Sequence, residues 1–459
     1  MDDSGPHLRT RMLLGRVAHC FAKATAALTL LALGACGDGA GAPPGGGLDA
    51  CGVSAQKDWL RSYMLDEYLW TGASPDPEPT GFELLQSYFS ALLSTGVGAV
   101  PADHWSYITE SESYNQYFEE GKTLGYGVAV NGLEQRLPLK LRYVEPQSAA
   151  AAQGLARGDV ILSINGRPSA EFLASLEFSA LNASRTGEQV TLQIAGSAGP
   201  RNVTLTAASY PLTPVPVSRV LSLVGDSKAG YLLLKDFVTQ AEAPLVDAFD
   251  AFRAAGASEL ILDLRYNGGG LISVAKLLAS LVAGSAHDGK VFTRLNFNAK
   301  QSARNSSYKI AAAVSGFTRV VVLTGSRTCS ASELIVNGLR PYVEVVTLGG
   351  QTCGKPVGFV PVESCGSTVS AVNFEALNVR GEGGYYDGIA PTCALTEDFD
   401  KSFGDPTEIL TAAALQYLQT GRCTEPAVSS NGAAKAAALW RRTRSAPAEP
   451  GEWRGMRAD

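Results

Sequence analysis

The sequence predicts an α/β protein built around a mainly parallel sheet. Over residues 213–423, apolar runs rich in β-branched residues, such as LILDLR and RVVVLTG, alternate with helical patterns such as LISVAKLLASLVAG. This alternation is typical of a sheet with helices packed on its faces. Two regions with other sequence patterns precede it. Residues 51–122 show aromatic-rich helical patterns, and residues 123–212 show short strands separated by turns. We therefore expect a small N-terminal helical cap, a β-rich domain and an α/β core, in that order.

The composition indicates a globular protein and argues against nucleic acid as a partner. Hydrophobic residues make up 45% of the 459 residues and charged residues 18%, which is enough apolar material for a sizeable core. The net charge is −6, and the body of the chain has no concentrated basic face. Neither GxGxxG nor GxxxxGK[ST] occurs, so no nucleotide site and no cofactor are predicted.

The first 35 residues are typical of a bacterial export signal. Basic residues precede the apolar run ATAALTLLALGA, which is too short to span a bilayer and ends in small residues. The sequence LGAC at 33–36 resembles a lipobox, which implies cleavage before Cys36 and lipidation of its thiol. A plain signal peptide that happens to contain a cysteine is the alternative.

The segments at either end of the folded region have compositions that do not build a core. Residues 36–50 are rich in Gly and Pro and are predicted to be a flexible tether from a membrane. Gly37 stands where an aspartate retention signal would lie, which favours the periplasmic face of an outer membrane, with the cell surface as the alternative. Residues 424–459, rich in Ala and Ser with a basic cluster, are predicted to be a mostly disordered tail, with a loose helix as the alternative.

Six further cysteines in an exported chain indicate disulfides rather than a metal site. No CxxC pair occurs, and His104 and His287 are the histidines beyond the signal, so neither a structural zinc nor another metal is expected. Six cysteines allow several connectivities. The preferred set is Cys329–Cys353, Cys365–Cys393 and Cys51–Cys423.

The stretch VEPQSAAAAQGLARGDVILSINGRP, residues 144–168, resembles a PDZ domain. It predicts a strand, a short helix over 148–153, a turn at Gly154 and a second strand over 159–164. The resemblance implies that a protein C-terminus adds to the domain as a strand, with its carboxylate held by backbone N–H groups. The loop for that carboxylate would be TLGYG, which contains Leu124, Gly125, Tyr126 and Gly127. A β-rich spacer without a ligand is the alternative.

Three loops follow strands of the predicted core at one edge of the sheet, where α/β proteins place their sites. The first, RYNGGG at 265–270, has glycines that can turn backbone N–H groups towards an anion or oxyanion. The second, SRTCSASE, contains Ser330 and Glu333, which fit a helix capping box as well as a nucleophile on a strand-to-helix turn. The third, GGQTCGKPVG, contains Lys355. One helix and one strand separate Ser330 from Lys355, so we expect the two to lie close together.

A serine hydroxyl requires a base to become a nucleophile, and lysine is the candidate here. The two histidines lie in segments that are not predicted to form loops at this edge of the sheet, and no GxSxG motif occurs. Desolvation lowers the pKa of a buried lysine towards neutrality, and a fall of about three units corresponds to roughly 4 kcal/mol. The small, apolar neighbours of Lys355 favour such burial.

Taken together, LDLRYNGGG, SASE and GK, in this order behind a PDZ-like segment, resemble the C-terminal processing (tail-specific) serine proteases. DHWSYI, at 103–108, resembles a segment that precedes the PDZ domain in that family. The resemblance implies a crotonase/ClpP-like α/β protease core with an inserted PDZ domain. It also implies a dyad of Ser330 as nucleophile and Lys355 as general base. The oxyanion hole would be formed by the N–H of Ala331 with that of Gly269 or Gly270.

The resemblance implies an exported endopeptidase that recognises the C-termini of unfolded or extended proteins. One position departs from the family, because Phe359 stands where many relatives carry a glutamine that orients the lysine; Gln351 or a backbone carbonyl is the candidate substitute. The competing hypothesis is therefore a weakly active or inactive protease-like scaffold of the cell envelope that binds peptides. A crotonase-like acyl-transfer enzyme shares the layering but explains neither the PDZ-like segment nor the lysine.

Overall fold

The structure, a computed structural model, describes residues 51–131, 137–175, 177–196, 199–312, 316–424 and 455–458. The predicted signal peptide, the tether, Cys36 and most of the predicted tail lie outside these residues. Among the described residues, no helix is both long and apolar enough to span a membrane.

The N-terminal cap consists of three helices and three short strands: α1 (Val53–Glu67), α2 (Leu85–Leu92), β1 (Thr95–Val97), β2 (Val100–Ala102), β3 (Tyr107–Glu110) and α3 (Ser111–Phe118). Its apolar face does not form a separate core. Leu60 and Met64 of α1 and Tyr88 of α2 are buried in one cluster with Val357 and Phe359 of the α/β core. The cap is therefore packed against the site region of the core.

The β-rich domain forms a core of its own. Its elements are β4 (Lys122–Gly125), β5 (Val128–Val130), β6 (Leu141–Val144), α4 (Ala149–Ala152), β7 (Ile161–Ile164), β8 (Arg167–Pro168), α5 (Ser169–Ser175), β9 (Gln189–Ile194), β10 (Arg201–Thr206) and β11 (Ala208–Pro211). On β9 the burial alternates, with Val190, Leu192 and Ile194 inside, as expected of a strand with one buried face. The short helix predicted over 148–153 forms as α4, and Ser148 at its N-cap accepts from Ala151 N–H.

The α/β core contains the remaining elements: β12 (Val217–Ser222), β13 (Lys228–Leu233), α6 (Glu242–Ala254), β14 (Glu259–Asp263), β15 (Gly269–Leu271), α7 (Ile272–Ala283), β16 (Val291–Phe297), β17 (Ser306–Lys309), β18 (Arg319–Thr324), α8 (Ala331–Leu339), β19 (Glu344–Gly349), β20 (Val357–Phe359), β21 (Val362–Ser364), β22 (Ser367–Ser370), β23 (Val372–Leu377), β24 (Cys393–Ala394), α9 (Ile409–Thr420) and β25 (Gly455–Arg457).

The first core sheet has the order β12-β13-β14-β18-β19-β24, and every pairing except β12–β13 is parallel. The mainly parallel sheet that the sequence predicts is therefore confirmed. Both faces are covered: Leu260 and Leu262 pack with helices α6 to α8, while Ile261 packs with α9. Burial on both faces explains why these strands read as continuous apolar runs.

A second, mixed sheet has the order β15-β25-β20-β23-β16-β17. Its strands come from distant parts of the sequence, so the sequence did not predict this sheet. A small antiparallel sheet, β21-β22-β3, joins the cap to the core, with Ile108 opposite Val369.

Two of the three predicted disulfides are wrong, and Cys329–Cys353 is confirmed, with its Cα atoms 5.2 Å apart. The other pairs are Cys51–Cys365 and Cys393–Cys423. Cys51 precedes α1, which packs against the core region that contains Cys365. Cys423 follows α9, which lies on the sheet that ends in β24. Tertiary packing decides these pairs.

The predicted disordered tail over 424–459 is wrong for residues 455–458. Residues 455–457 form β25, which pairs with β15 and β20, and Met456 is fully buried. The pairing partners are far away in the sequence, and a three-residue strand is too short to show a periodicity in the sequence.

Candidate active site

Ser330 lies at the turn between β18 and α8, in a backbone conformation that few non-glycine residues adopt. Its φ is 59° and its ψ −112°, and it is the N-cap of α8. Such strained conformations persist only where the surroundings enforce them, and they concentrate at functional sites. The side chain is fully buried, and its Oγ has no hydrogen-bond partner among the described residues.

Hydrogen bonds connect the turn before Ser330 to the RYNGGG loop and the end of the preceding strand. The Thr328 hydroxyl donates to the Leu264 carbonyl at 2.8 Å, and Cys329 N–H donates to the Asn267 carbonyl at 3.0 Å. The Ser332 hydroxyl donates to the same Asn267 carbonyl, also at 3.0 Å. These bonds hold the first and second predicted loops together at one edge of the sheet.

Glu333 joins the second and third loops through its buried carboxylate. Its Oε2 accepts from Ser330 N–H and Lys355 N–H, each at 2.8 Å, and its Oε1 accepts from Gly354 N–H at 2.8 Å. The Thr352 hydroxyl also donates to Oε1. Because both backbone nitrogens bond the same oxygen at 2.8 Å, the nitrogens of Ser330 and Lys355 lie within twice that distance of each other. Burial raises the pKa of the Glu333 carboxyl, and these hydrogen bonds act in the opposite direction.

The capping interpretation of SASE is confirmed for Glu333, which binds the N-cap amide of Ser330. Sequence reasoning missed its second role as the acceptor for the lysine loop. Spacing along one helix reports only local partners, whereas residues 352–355 come from the next strand connection.

Lys355 lies between β19 and β20 and is fully buried. Its Nζ is 3.7 Å from the ring centroid of Phe359, a distance at which an ammonium interacts with the ring quadrupole. On another side the Phe359 ring contacts Tyr107 of the cap edge-on, with centroids 5.5 Å apart. The aromatic residue that replaces the family glutamine therefore touches the predicted base directly.

The Cys329–Cys353 disulfide connects the residue before Ser330 with a residue two positions before Lys355. Within the described residues, Cys329, Glu333 and Cys353 are the group whose spacing suits a metal ion. In the disulfide the two sulfurs are not thiolates, which are the form that binds metals. The donor set therefore does not fit a metal while the disulfide is intact.

The glycines of the first loop take conformations that favour glycine, with φ of 110° at Gly269 and 134° at Gly270. A Cβ on Gly270 would lie 2.2 Å from the Phe237 carbonyl oxygen. Gly269 N–H donates to Asn267 Oδ1 at 2.8 Å. Of the two predicted glycine donors to an oxyanion, Gly269 is therefore engaged within its own loop. Ala331 is the first residue of α8, where a backbone N–H has no acceptor within the helix.

A buried charge network lies behind the RYNGGG loop. Arg265, fully buried, pairs with Asp263 and Glu408, each at 2.9 Å, and with Glu397 at 3.1 Å. Burial alone would raise the pKa of Glu408, but Arg265 and the hydrogen bonds from Thr411 lower it to about 2. The network fixes the backbone from which the glycine loop departs.

The predicted PDZ loop closes onto α4. Ala150 N–H donates to the Tyr126 carbonyl at 3.1 Å, and Glu145 N–H donates to the Gly127 carbonyl at 2.9 Å. Gly127 has a φ of 81°, and a Cβ there would lie 1.9 Å from Ser148 Cβ. Leu124 and Gly125 belong to β4, which pairs with β11. The glycine at 127 is thus required by close packing.

Two stretches of the chain match known families. Residues 228–394 match peptidase family S41, and residues 141–196 match a PDZ domain. The S41 stretch contains Ser330, Lys355 and the glycine loop.

Curated relatives are processing proteases. The chain is 29% identical over 248 residues to carboxy-terminal processing protease CtpA of Bacillus subtilis (strain 168), covering 53% of this chain and 50% of that protein. It is 30% identical over 220 residues to the chloroplastic carboxyl-terminal-processing peptidase 1 of Arabidopsis thaliana, covering 47% and 44%. The chain spans about half the length of the curated relatives it matches.

A solved structure assigned as an S41 protease from Bacteroides fragilis NCTC 9343 superposes with a TM-score of 0.64 at 26% identity, covering 79% of this chain and 97% of that one. The fold and the two family matches agree with the motifs in the sequence. They confirm that this chain is a relative of the C-terminal processing proteases, with an S41 peptidase domain and a PDZ domain.

Proposed function

We propose that this protein is an exported serine endopeptidase that recognises protein C-termini through its PDZ domain and cleaves extended chains with a Ser330/Lys355 dyad. The observation that carries the proposal is the Glu333 carboxylate, which binds the backbone amides of both residues within a fully buried site. Two residues held by one acceptor keep a fixed relative position, as a nucleophile and its base require.

In the proposed reaction the neutral Lys355 amine removes the hydroxyl proton of Ser330 as Oγ attacks the scissile carbonyl carbon. The C–N bond then breaks, and Lys355 returns its proton to the leaving amine. Water, deprotonated by Lys355, attacks the acyl-enzyme ester and releases the new carboxyl terminus together with the Ser330 hydroxyl.

The oxyanion formed in each step would be bound by the N–H groups of Ala331 and Gly270. Ala331 is supported by its place at the N-terminus of α8, where the helix dipole favours negative charge. Gly270 is supported over Gly269 because the N–H of Gly269 already donates to Asn267.

Substrate capture is proposed at the PDZ loop containing residues 124–127. A protein C-terminus would add to the domain as an extended strand, and a distal segment of the same chain would reach the dyad. Unfolded or extended substrates satisfy this requirement because a folded domain cannot present an extended segment to a buried serine.

Purified protein without its signal should cleave an unfolded protein with an apolar C-terminus, and Ser330→Ala should abolish cleavage. Ser332→Ala, two residues on, is the matched control and should retain cleavage, because the Asn267 carbonyl that its hydroxyl binds still accepts from Cys329 N–H. For the base, Lys355→Ala is compared with Lys57→Ala, a second buried lysine that lies in the cap. Unchanged cleavage by Ser330→Ala would exclude this mechanism.

The alternative of an inactive peptide-binding scaffold is favoured by one observation, the contact of Lys355 Nζ with Phe359 where relatives carry glutamine. A fluorophosphonate probe separates the two functions. Labelling of Ser330 that disappears in Lys355→Ala supports the peptidase, and absence of labelling in a folded protein supports the scaffold.

Export and anchoring at Cys36 are proposed from the signal-like sequence alone. Expression in a diderm bacterium with fatty-acid labelling tests them. Wild-type protein should acquire label and sediment with outer membranes, whereas Cys36→Ala should be unlabelled. Wild-type protein without label would contradict the anchor.

A further inference from the structure

Residues 455–458 lie between two strands that border the candidate active site. In β25, Gly455, Met456 and Arg457 pair in parallel with Gly269, Gly270 and Leu271 of β15. On its other edge β25 pairs with β20, where Arg457 lies opposite Phe359 and Ala458 N–H donates to the Phe359 carbonyl at 3.0 Å. The segment thus fills a groove between the glycine loop and the strand that follows Lys355.

The backbone of Gly270 faces this segment. Phe237 N–H donates to the Gly269 carbonyl at 3.1 Å, and Leu271 N–H donates to the Phe237 carbonyl at 2.8 Å. Because successive residues of a strand direct their backbone groups to opposite edges, the N–H and carbonyl of Gly270 point away from Phe237 and towards β25. The N–H proposed to bind the oxyanion is therefore directed at residues 455–458.

The other border of the groove leads to the proposed base. Phe359, whose carbonyl receives Ala458 N–H, carries the ring that contacts Lys355 Nζ. One short strand therefore runs along both halves of the site. An extended substrate whose carbonyl oxygen is bound by the Gly270 N–H would pair along this same edge of β15.

The groove holds the side chains of Met456 and Arg457 in two chemically different environments. Met456 is fully buried, within the same apolar cluster as Leu271 and Phe374. Arg457 forms an ion pair with Glu119 at 2.9 Å, and its guanidinium lies 5.5 Å from the Tyr114 ring centroid. The groove thus offers an apolar site for one residue and an acidic, aromatic site for the next.

We propose that this groove is the binding site for the extended segment of the substrate, and that residues 455–458 occupy it as an internal competitive ligand. The groove accepts an unbranched apolar residue followed by a basic residue, with Glu119 selecting the basic one. The inhibitory part of this proposal rests on the proposed peptidase function, whereas the binding part does not.

The test uses full-length variants of the mature chain. Met456→Asp places a charge in the apolar site and should expel the segment, raising the rate of peptide cleavage on the order of a hundredfold. Arg457→Glu places a second negative charge beside Glu119 at a partly exposed position and should raise the rate of peptide cleavage roughly two- to fivefold.

Glu119→Lys should raise the cleavage rate as Arg457→Glu does, and the double variant Glu119→Lys/Arg457→Glu should return to the wild-type rate. Glu120→Lys, at the adjacent residue, should leave the rate unchanged. Rates that stay constant or fall in folded Met456→Asp and Arg457→Glu variants would overturn the inhibitory role.

Binding is measured separately, so that failure of the proposed peptidase function is recognised. A fluorescent peptide with the sequence of residues 453–459, WRGMRAD, is titrated into the variant Ser330→Ala/Met456→Asp. Saturable binding that is not competed away by a peptide carrying M456D supports the groove as a binding site, even if no variant cleaves a substrate. Lack of binding to this folded variant would overturn the proposal and would make β25 a structural strand only.

Discussion

The backbone amides of Ser330 and Lys355 donate to one and the same oxygen, Oε2 of Glu333, each at 2.8 Å. The residues come from different loops, 25 positions apart in the sequence, and the same carboxylate also binds Gly354 N–H. A single buried acidic side chain thus sets the relative position of the proposed nucleophile and base.

Glu333→Gln should reduce kcat by roughly 10- to 100-fold, because the amide nitrogen replaces one acceptor and leaves a buried N–H without a partner. KM should change little, since Glu333 does not line the proposed peptide groove. Steady-state kinetics with circular dichroism as a folding check measure this effect. Glu344→Gln, an exposed position at the start of β19, is the control. Wild-type kcat in Glu333→Gln would show that the carboxylate does not position the dyad.

Loss of the Cys329–Cys353 disulfide should reduce activity beyond its effect on stability. The bridge spans 24 residues, and Cys393–Cys423 spans 30, so removal of either should cost roughly 3 kcal/mol of unfolding free energy. Only Cys329→Ser/Cys353→Ser loosens the loops of Ser330 and Lys355. We expect its kcat to fall about tenfold below that of Cys393→Ser/Cys423→Ser. Equal kcat values in the two double variants, under conditions where both are folded, would contradict a role in the site.

Phe359→Leu removes the ring that Lys355 Nζ contacts while keeping an apolar side chain. The ring lies 3.7 Å from Nζ and confines the amine in either protonation state, so we expect kcat to fall roughly tenfold as Lys355 loses its fixed position. Phe252→Leu, equally buried but in α6, should lose similar stability without loss of kcat. If both variants lose only stability, the ring is a packing residue.

Stability should fall in acid because of Glu408. Its folded-state pKa is lowered from 4.5 to about 2, so its ionised form contributes roughly 3 kcal/mol above pH 4.5. That contribution disappears as the pH falls from about 4.5 to about 2, because the carboxylate is then protonated in both states. Urea unfolding at pH 7 and pH 3 measures the change. Glu408→Gln should be less stable at pH 7 and should show a shallower decrease with acid, and a parallel decrease in both proteins would refute the assignment.

The α/β core and the three loops of the site were predictable from the sequence alone. The strands β14, β18 and β19 are buried on both faces, so burial imposes continuous apolar runs that are visible without a structure. The motif SASE and the lysine loop follow such strands directly, which predicted that they lie at one edge. The local pairing of Ser330 with Glu333 was likewise visible, because a helix cap depends on residues three positions apart.

Only the tertiary structure decided which distant groups meet. Several contacts join segments that no periodicity in the sequence connects. They are the hydrogen bond from Lys355 N–H to Glu333, the disulfides Cys51–Cys365 and Cys393–Cys423, and the pairing of β25 beside Gly270. The pair Cys51–Cys365 depends on the packing of the cap on the core, Cys393–Cys423 on the packing of α9 on the first sheet, and β25 on the assembly of the second sheet. Such contacts are set by three-dimensional packing of short elements, and short elements leave too little pattern in the sequence to identify their partners.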